Sequence, residues 1–309
     1  MTRIRITALF IISILYGCPL KAISGNDLIY LVHTAEYSVP YLEKALPRYS
    51  IAALTGFVIT KEGTIVIRCR RYLALMTSIA RHVGITIYPV ITFESVGAGR
   101  SVLGQTALAE KTAQNISAIA QQNRFTGIHL DFEYLPPEDA GRLSQFLSRL
   151  RRHFKGKITM AIFPQIDFPS RWAAFHELSI IAPLLDGIVL MCYDYHAAHT
   201  GPGPVTSLTW AEKNVRHALK YHKPHQIWLG IPAYGYRWCG GKAQPVSSRE
   251  TARLARSMSG KRDPSGALHL TGGGCEIFVS DKKNRELLVN LARRYDLAGI
   301  ALWRLGFED

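Results

Sequence analysis

The stretch that most constrains this chain is Thr126-Gly127-Ile128-His129-Leu130-Asp131-Phe132-Glu133. At the two-residue period of a β-strand, His129, Asp131 and Glu133 share one face, and Ile128, Leu130 and Phe132 share the other. The two carboxylates then stand roughly 6–7 Å apart along the strand, and the apolar face is free to receive helices. Pro136-Pro137-Glu138-Asp139 follows, placing proline in a first helical turn and acids at a helix N-terminus. A charged pair at the C-terminal end of a strand, just before a βα turn, points to chemistry on an α/β barrel. One buried acid has structural explanations. Two adjacent inward acids are costly to desolvate without a task.

From Asn26 onward, strand-like and helix-like patterns alternate, as parallel βα units require. The strands are expected at 27–32, 51–59, 85–93, 126–133, 157–163, 187–196, 227–236 and 297–303. Helices are expected near 40–46, 71–83, 107–123, 138–154, 172–185, 209–221 and 282–294. The segment 237–280 is long, mixed in pattern and carries Gly272-Gly273-Gly274; it reads as a small insertion between strands seven and eight. Gly97-Ala98-Gly99-Arg100-Ser101-Val102 has Val102 where a dinucleotide fingerprint needs its third glycine, so it reads as a flexible βα loop. After the last strand only six residues remain, too few for a closing helix. The fold class is α/β, an eight-stranded barrel over 26–309 that lacks its final helix.

The N-terminus reads as an export signal. Arg3 and Arg5 precede an apolar run from Ile6 to Tyr16, too short to span a bilayer comfortably. Leu20-Lys21-Ala22 offers a cleavage site, giving a signal of residues 1–22. Leu15-Tyr16-Gly17-Cys18 offers a rival lipoprotein box with Cys18 lipidated, and an uncleaved anchor is a third option. The location expected is periplasm, cell envelope or extracellular space. Cleavage after Ala22 removes three basic residues and no acids, lowering the net charge from +14 to +11. Exported basic proteins tend to meet anionic polymers. No zinc-finger spacing, RNA-binding signature or basic-aromatic interleaving accompanies the charge, so nucleic acid is not the expected partner. The densest basic run, 149–157, ends a predicted helix, where cations suit the dipole. The five cysteines show no CxxC and the 11 histidines no HExxH, so neither metal nor cofactor is expected. Cys192 sits in an apolar strand as a small hydrophobe. Cys239 and Cys275 flank the insertion and would pair in an oxidising compartment.

Four motifs now converge. Gly127-Ile128-His129-Leu130-Asp131-Phe132-Glu133 resembles the DxxDxDxE signature of glycoside hydrolase family 18, and Met191-Cys192-Tyr193-Asp194 its MxYD motif. Leu229-Gly230-Ile231-Pro232-Ala233-Tyr234-Gly235-Tyr236 is similar to the strand-seven motif, and Gly299-Ile300-Ala301-Leu302-Trp303 to the strand-eight motif ending in Trp. Pro202-Gly203-Pro204-Val205 is similar to a loop of the bacterial wall-lytic and spore-cortex branch. The resemblance implies a (β/α)8 TIM barrel that hydrolyses β-1,4 bonds of N-acetylglucosamine-containing glycans, peptidoglycan or chitin-like, by a retaining, substrate-assisted route. It implies Glu133 as general acid and then base, Asp131 as the residue that orients the acetamido group, and the Tyr193 hydroxyl as a clamp on its carbonyl oxygen. Asp194 would bind sugar polar groups and Trp303 would floor the subsite, with Met191, Tyr234 and Tyr236 beside them. A monomer is expected.

Two positions depart from the signature. Its first Asp is Thr126 and its second is His129. A neutral His129 would donate a hydrogen bond to Asp131, whereas a protonated one would hold Asp131 ionised and weaken its push on the pKa of Glu133. Simple lumen packing is the third reading of His129. On the second, an Asn at 129 shifts the pH profile of activity. The competing function is a non-catalytic glycan-binding protein on the same barrel. Such relatives lose the acid, whereas Glu133 is present.

Overall fold

The computed structural model describes residues 26–68 and 70–308. The expected signal at 1–22 and the Cys18 tether lie outside them. Eight strands form the barrel: β1 (Leu28–Leu31), β2 (Ile51–Ile59), β3 (Thr86–Phe93), β4 (Gly127–Leu130), β5 (Lys157–Ile162), β6 (Gly187–Met191), β7 (Ile227–Pro232) and β8 (Gly299–Trp303). Each pairs in parallel with the next. The circle closes where β8 pairs with β1 through Leu28↔Ala301 and Ile29↔Leu302. Helices cover the outside, as all-parallel sheets require.

The two-residue alternation decides which side chains face the lumen. Ile128, Leu130 and Phe132 join the apolar layer between strands and helices, while His129 points inward with Tyr30 and Thr159. The outer layer is built by helices such as Ala140–His153, which buries Leu143, Phe146, Leu147 and Leu150. That spacing is the apolar stripe of a 3.6-residue helix, and each such side chain contributes roughly 1.5–3 kcal/mol. Arg151, Arg152 and His153 close this helix with cations, as expected.

Several boundaries differ from the sequence reading. β4, β6 and β7 stop at Leu130, Met191 and Pro232, earlier than expected. Asp131 and Ala233 still donate to the neighbouring strands, at Ile91 O (2.9 Å) and Trp303 O (2.7 Å), but the residues beyond them no longer belong to the barrel sheet. Asp194, at φ 59°, and Tyr134, at φ 61°, adopt the left-handed region and end any extended run. The glycine-containing segment after β3 is a helix, Val96–Gly104, rather than a loop. Ser95 caps it by accepting from the Ala98 N–H, and Gly99 lets it approach Phe93 and Leu135, which a Cβ would meet at 2.8–2.9 Å. The single helix expected over 172–185 is broken into Ser170–Ala173, Leu178–Ile181 and a 3-10 turn, Ala182–Leu184. The break turns His176 inward to bond backbone groups of two strand ends.

The segment between β7 and β8 is organised. Five antiparallel strands lie side by side in the order Lys242–Ser247, Tyr234–Cys239, Cys275–Val279, Leu268–Gly272 and Ser259–Arg262. Val246, Leu270, Ile277 and Val279 give this sheet its own small core. Cys239 and Cys275 face each other across paired strands and form a disulfide. Tyr234 and Tyr236 therefore belong to the inserted sheet and not to a barrel strand. After β8 the described residues, 304–308, form a turn and no helix.

Candidate active site

The site is built where β4, β6, β7 and β8 end. Asp131, Glu133, Met191, Tyr193, Asp194, Tyr234 and Trp303, together with Tyr30, line one cavity of about 170 Å³. The structure thus brings together seven of the nine residues singled out from the sequence. The other two, Tyr236 and His129, stand behind this wall and below it.

Asp131 and Glu133 are hydrogen-bonded to each other through their carboxyl groups. Burial lifts the Asp131 carboxyl to about 6, against the pull of its hydrogen bond with Glu133. Burial also pushes Glu133 well above the usual carboxylate range, and the charges of Asp131 and Asp194 push it further. Two buried acids this close resist being ionised together. Asp131 Oδ1 is buried and accepts no hydrogen bond from an N–H or O–H group among the described residues.

Asp194 is fixed from outside. Its Oδ1 accepts from the hydroxyls of Tyr234 at 2.6 Å and Tyr236 at 3.0 Å. Burial raises its pKa and those two hydrogen bonds oppose the rise. Tyr236 thus acts through Asp194. Burial also raises the Tyr30 and Tyr193 hydroxyls well above the usual range, which keeps both as proton donors at neutral pH. Trp303 meets Tyr30 edge-on, with ring centroids 5.0 Å apart.

His129 departs from both polar roles considered for it. It is fully buried and makes no hydrogen bond to Asp131 among the described residues. The Thr159 hydroxyl spends its proton on Ile128 O at 3.1 Å, so its oxygen accepts from His129 Nδ1–H at 2.9 Å. Nε2 of the neutral ring then accepts from the Tyr30 hydroxyl at 2.7 Å. Burial lowers this imidazole to about 3. His129 is a neutral strut that joins β1, β4 and β5 beneath the carboxylates.

Some site residues escaped the sequence reading. Tyr134 opposes the rise of the Glu133 pKa and stands half-exposed against Trp172, edge to face at 5.5 Å. With Phe163, Phe168 and His199 they line a second, smaller cavity on the other side of Glu133 and Asp194. His176 accepts from the Phe163 N–H at Nδ1 (3.1 Å) and donates from Nε2 to Phe132 O (2.9 Å). It therefore clamps the peptide between the two acids. The only sequence signal for Tyr134 was its place beside Glu133; for Trp172 and His176, assigned to a regular helix, there was none.

A closed (β/α)8 barrel with acids grouped at the C-terminal mouth is the framework of a barrel enzyme. The family model for glycosyl hydrolases family 18 matches residues 92–308. The chain belongs to that family and is a glycosidase. An uncharacterized glycosylase of Bacillus subtilis (strain 168) is 27% identical over 71% of this chain and 68% of its own length. The cortical fragment-lytic enzyme of the same organism is 25% identical over 68% of this chain, which spans about half (53%) of that protein. Among solved structures, a chitinase from Chromobacterium violaceum superposes with a TM-score of 0.84 at 22% identity, covering 92% of this chain and 95% of that one. The Bacillus cereus spore cortex-lytic enzyme SleL superposes with a TM-score of 0.82 at 21% identity over 91% and 71% of the two chains.

Proposed function

We propose that this protein is an exported hydrolase that cleaves β-1,4 bonds of N-acetylglucosamine-containing glycans by a retaining, substrate-assisted mechanism. The observation that carries the reading is the buried Asp131–Glu133 pair, both carboxyl groups raised in pKa, lining one cavity with Tyr193 and Trp303. Glu133 donates its proton to the leaving oxygen, a transfer its raised pKa allows near neutral pH. The Asp131 carboxylate accepts the acetamido N–H, and its charge steadies the cation that forms as the acetamido carbonyl oxygen closes on the anomeric carbon. The Tyr193 hydroxyl holds that carbonyl in line. Glu133, now ionised, takes a proton from the water that reopens the ring, so the configuration is retained. Trp303 offers its face to the apolar side of the sugar, and Asp194 bonds sugar polar groups while Tyr234 and Tyr236 hold it.

Wall polymer is favoured over chitin by the net charge of +14 and by the names of the cortex-lytic relatives. Export is favoured by the basic-then-apolar N-terminus and by the Cys239–Cys275 disulfide, a bond of oxidising compartments. Glu133→Gln tests the assignment. Release of reducing ends should drop by roughly 10²–10⁴-fold while oligosaccharide binding by calorimetry persists. Activity within a few fold of the parent would remove Glu133 from its role, and a parent that binds glycans without cutting them would favour the non-catalytic reading.

A further inference from the structure

A surface groove of about 710 Å³ runs along the outside of the barrel, between the helix Arg70–Val83 and the C-terminal end of the helix Thr106–Gln122. Arg70, Arg81 and Arg124 line it, with Thr77, Ser78 and Asn123 between them. All three arginines are exposed, and no described carboxylate pairs with any of them. No Asp or Glu lines the groove. The sequence from 63 to 93 contains no acid at all but holds four arginines. Elsewhere several basic side chains of this protein have a carboxylate partner: Arg149, Arg152 and His153 share Glu110, Arg151 and Lys157 share Asp186, and Arg262 pairs with Asp281. The groove is therefore a local concentration of uncompensated charge.

Its course matters. Arg70 follows the hairpin in which Ile65–Ile67 pairs with the end of β2, at the mouth side of the barrel. Arg81 lies about 16 Å further along the helix, at the opposite end, beside Arg124. Arg68, whose charge reaches His33 after β1, continues the basic track onto the mouth. A linear polyanion lying in the groove would leave it on the face that carries Asp131 and Glu133.

We propose that this groove is a second, non-catalytic binding site for a carboxylate-bearing glycan strand, holding polymer outside the barrel while another part of it enters the mouth. Guanidinium forks pair with carboxylates in a bidentate geometry, and three of them along one groove suit a chain with repeated acids rather than a single small anion. The chain's own N-terminal 25 residues carry three cations and no acid, and a second copy carries the same positive net charge, so neither complements the groove. The identity of the polymer rests on the proposed glycan substrate; the preference for an anionic chain does not.

The test uses the full chain with Glu133→Gln, so that polymer is bound and not cut. Its co-sedimentation with phosphate-free peptidoglycan and with chitin is measured at low and high salt, alone and with R70Q/R81Q/R124Q added. The triple change should weaken peptidoglycan binding about tenfold at low salt, with the difference fading at high salt and chitin binding unchanged. The R70K/R81K/R124K counterpart, which keeps the charges but loses the forks, should bind more weakly than the parent and more tightly than the Gln triple. With Glu133 intact, the Gln triple should cleave soluble chito-oligosaccharides within about twofold of the parent rate. Unchanged peptidoglycan binding, equal losses on both polymers, or duplex DNA displacing the wall polymer at equal charge would each overturn the proposal. If the intact protein cuts no N-acetylglucosamine glycan, yet peptidoglycan binding still depends on the three arginines, the proposed function fails and the groove stands.

Discussion

His129 shows how much one buried residue depends on its neighbours. From sequence it was a titratable ring below Asp131, with polar roles that differed by one proton. Thr159 and Tyr30 saturate both ring nitrogens, and an imidazole held near 3 is uncharged at neutral pH. The expectation that His129→Asn shifts the pH profile therefore loses its premise. The shorter side chain leaves one of two buried hydroxyls unpaired, so the variant should be less stable by about 1–3 kcal/mol. Both limbs of its kcat/KM profile against pH should stay in place. A moved limb would show that position 129 acts on the carboxylates electrostatically after all.

At the scale of elements, the site depends on segments that leave their strands. His176 sits on a broken helix and bonds both the end of β5 and the peptide between Asp131 and Glu133. His176→Phe keeps a ring but removes both bonds. It should cost about 2–4 kcal/mol of stability and lower kcat about tenfold with KM nearly unchanged, because the acids are displaced relative to the reacting bond. Steady-state kinetics beside a denaturant titration separates these effects; a change confined to KM would contradict the positioning role. The inserted sheet makes a parallel case. Its disulfide closes a separation of 36 residues, worth about 4 kcal/mol in the chain-entropy account. Cys239→Ser with Cys275→Ser should loosen the strand Tyr234–Cys239 and so free Asp194 from its two tyrosines. Amide exchange should rise in 234–279 and not in β4, and glycan hydrolysis should fall.

Over the whole molecule, buried titratable groups oppose one another. His129, His176 and His222 are held at about 3, 4 and 4, mainly by burial. Neutral in the fold, they take up protons on unfolding below about 6.5, so the stability they contribute is full above that pH and is lost as pH falls. Asp131 and Glu133 act in the reverse sense. Their pKa values are raised in the fold, so their ionised form burdens the folded state at neutral pH, and the burden lifts as pH falls through about 6 for Asp131. Asp131→Asn with Glu133→Gln should therefore be more stable than the parent at neutral pH by an amount on the order of 1–3 kcal/mol. That advantage should vanish as pH falls towards 4. Melting curves of the two proteins across this range check it, and parallel curves would mean that the pair carries no such cost.

The sequence by itself determined the eight-strand count and the strand faces, because strand alternation is a local, periodic property of the chain; the grouping of Tyr193, Asp194 and Trp303 with the two acids came from the resemblance of their motifs to the family's. Asp131 and Glu133 had to share a face whatever surrounded them. Only the tertiary structure decided what each polar group bonds to. His129 finds Tyr30 99 positions and Thr159 30 positions away. Tyr236 serves Asp194 from an inserted sheet, and Arg124 meets Arg70 and Arg81 across two helices. Such partners are set by how the chain closes on itself, and a local period carries no record of them. The same holds for the pKa values, since burial, the largest cause of each shift at Asp131, Glu133 and His129, exists only once the barrel has formed.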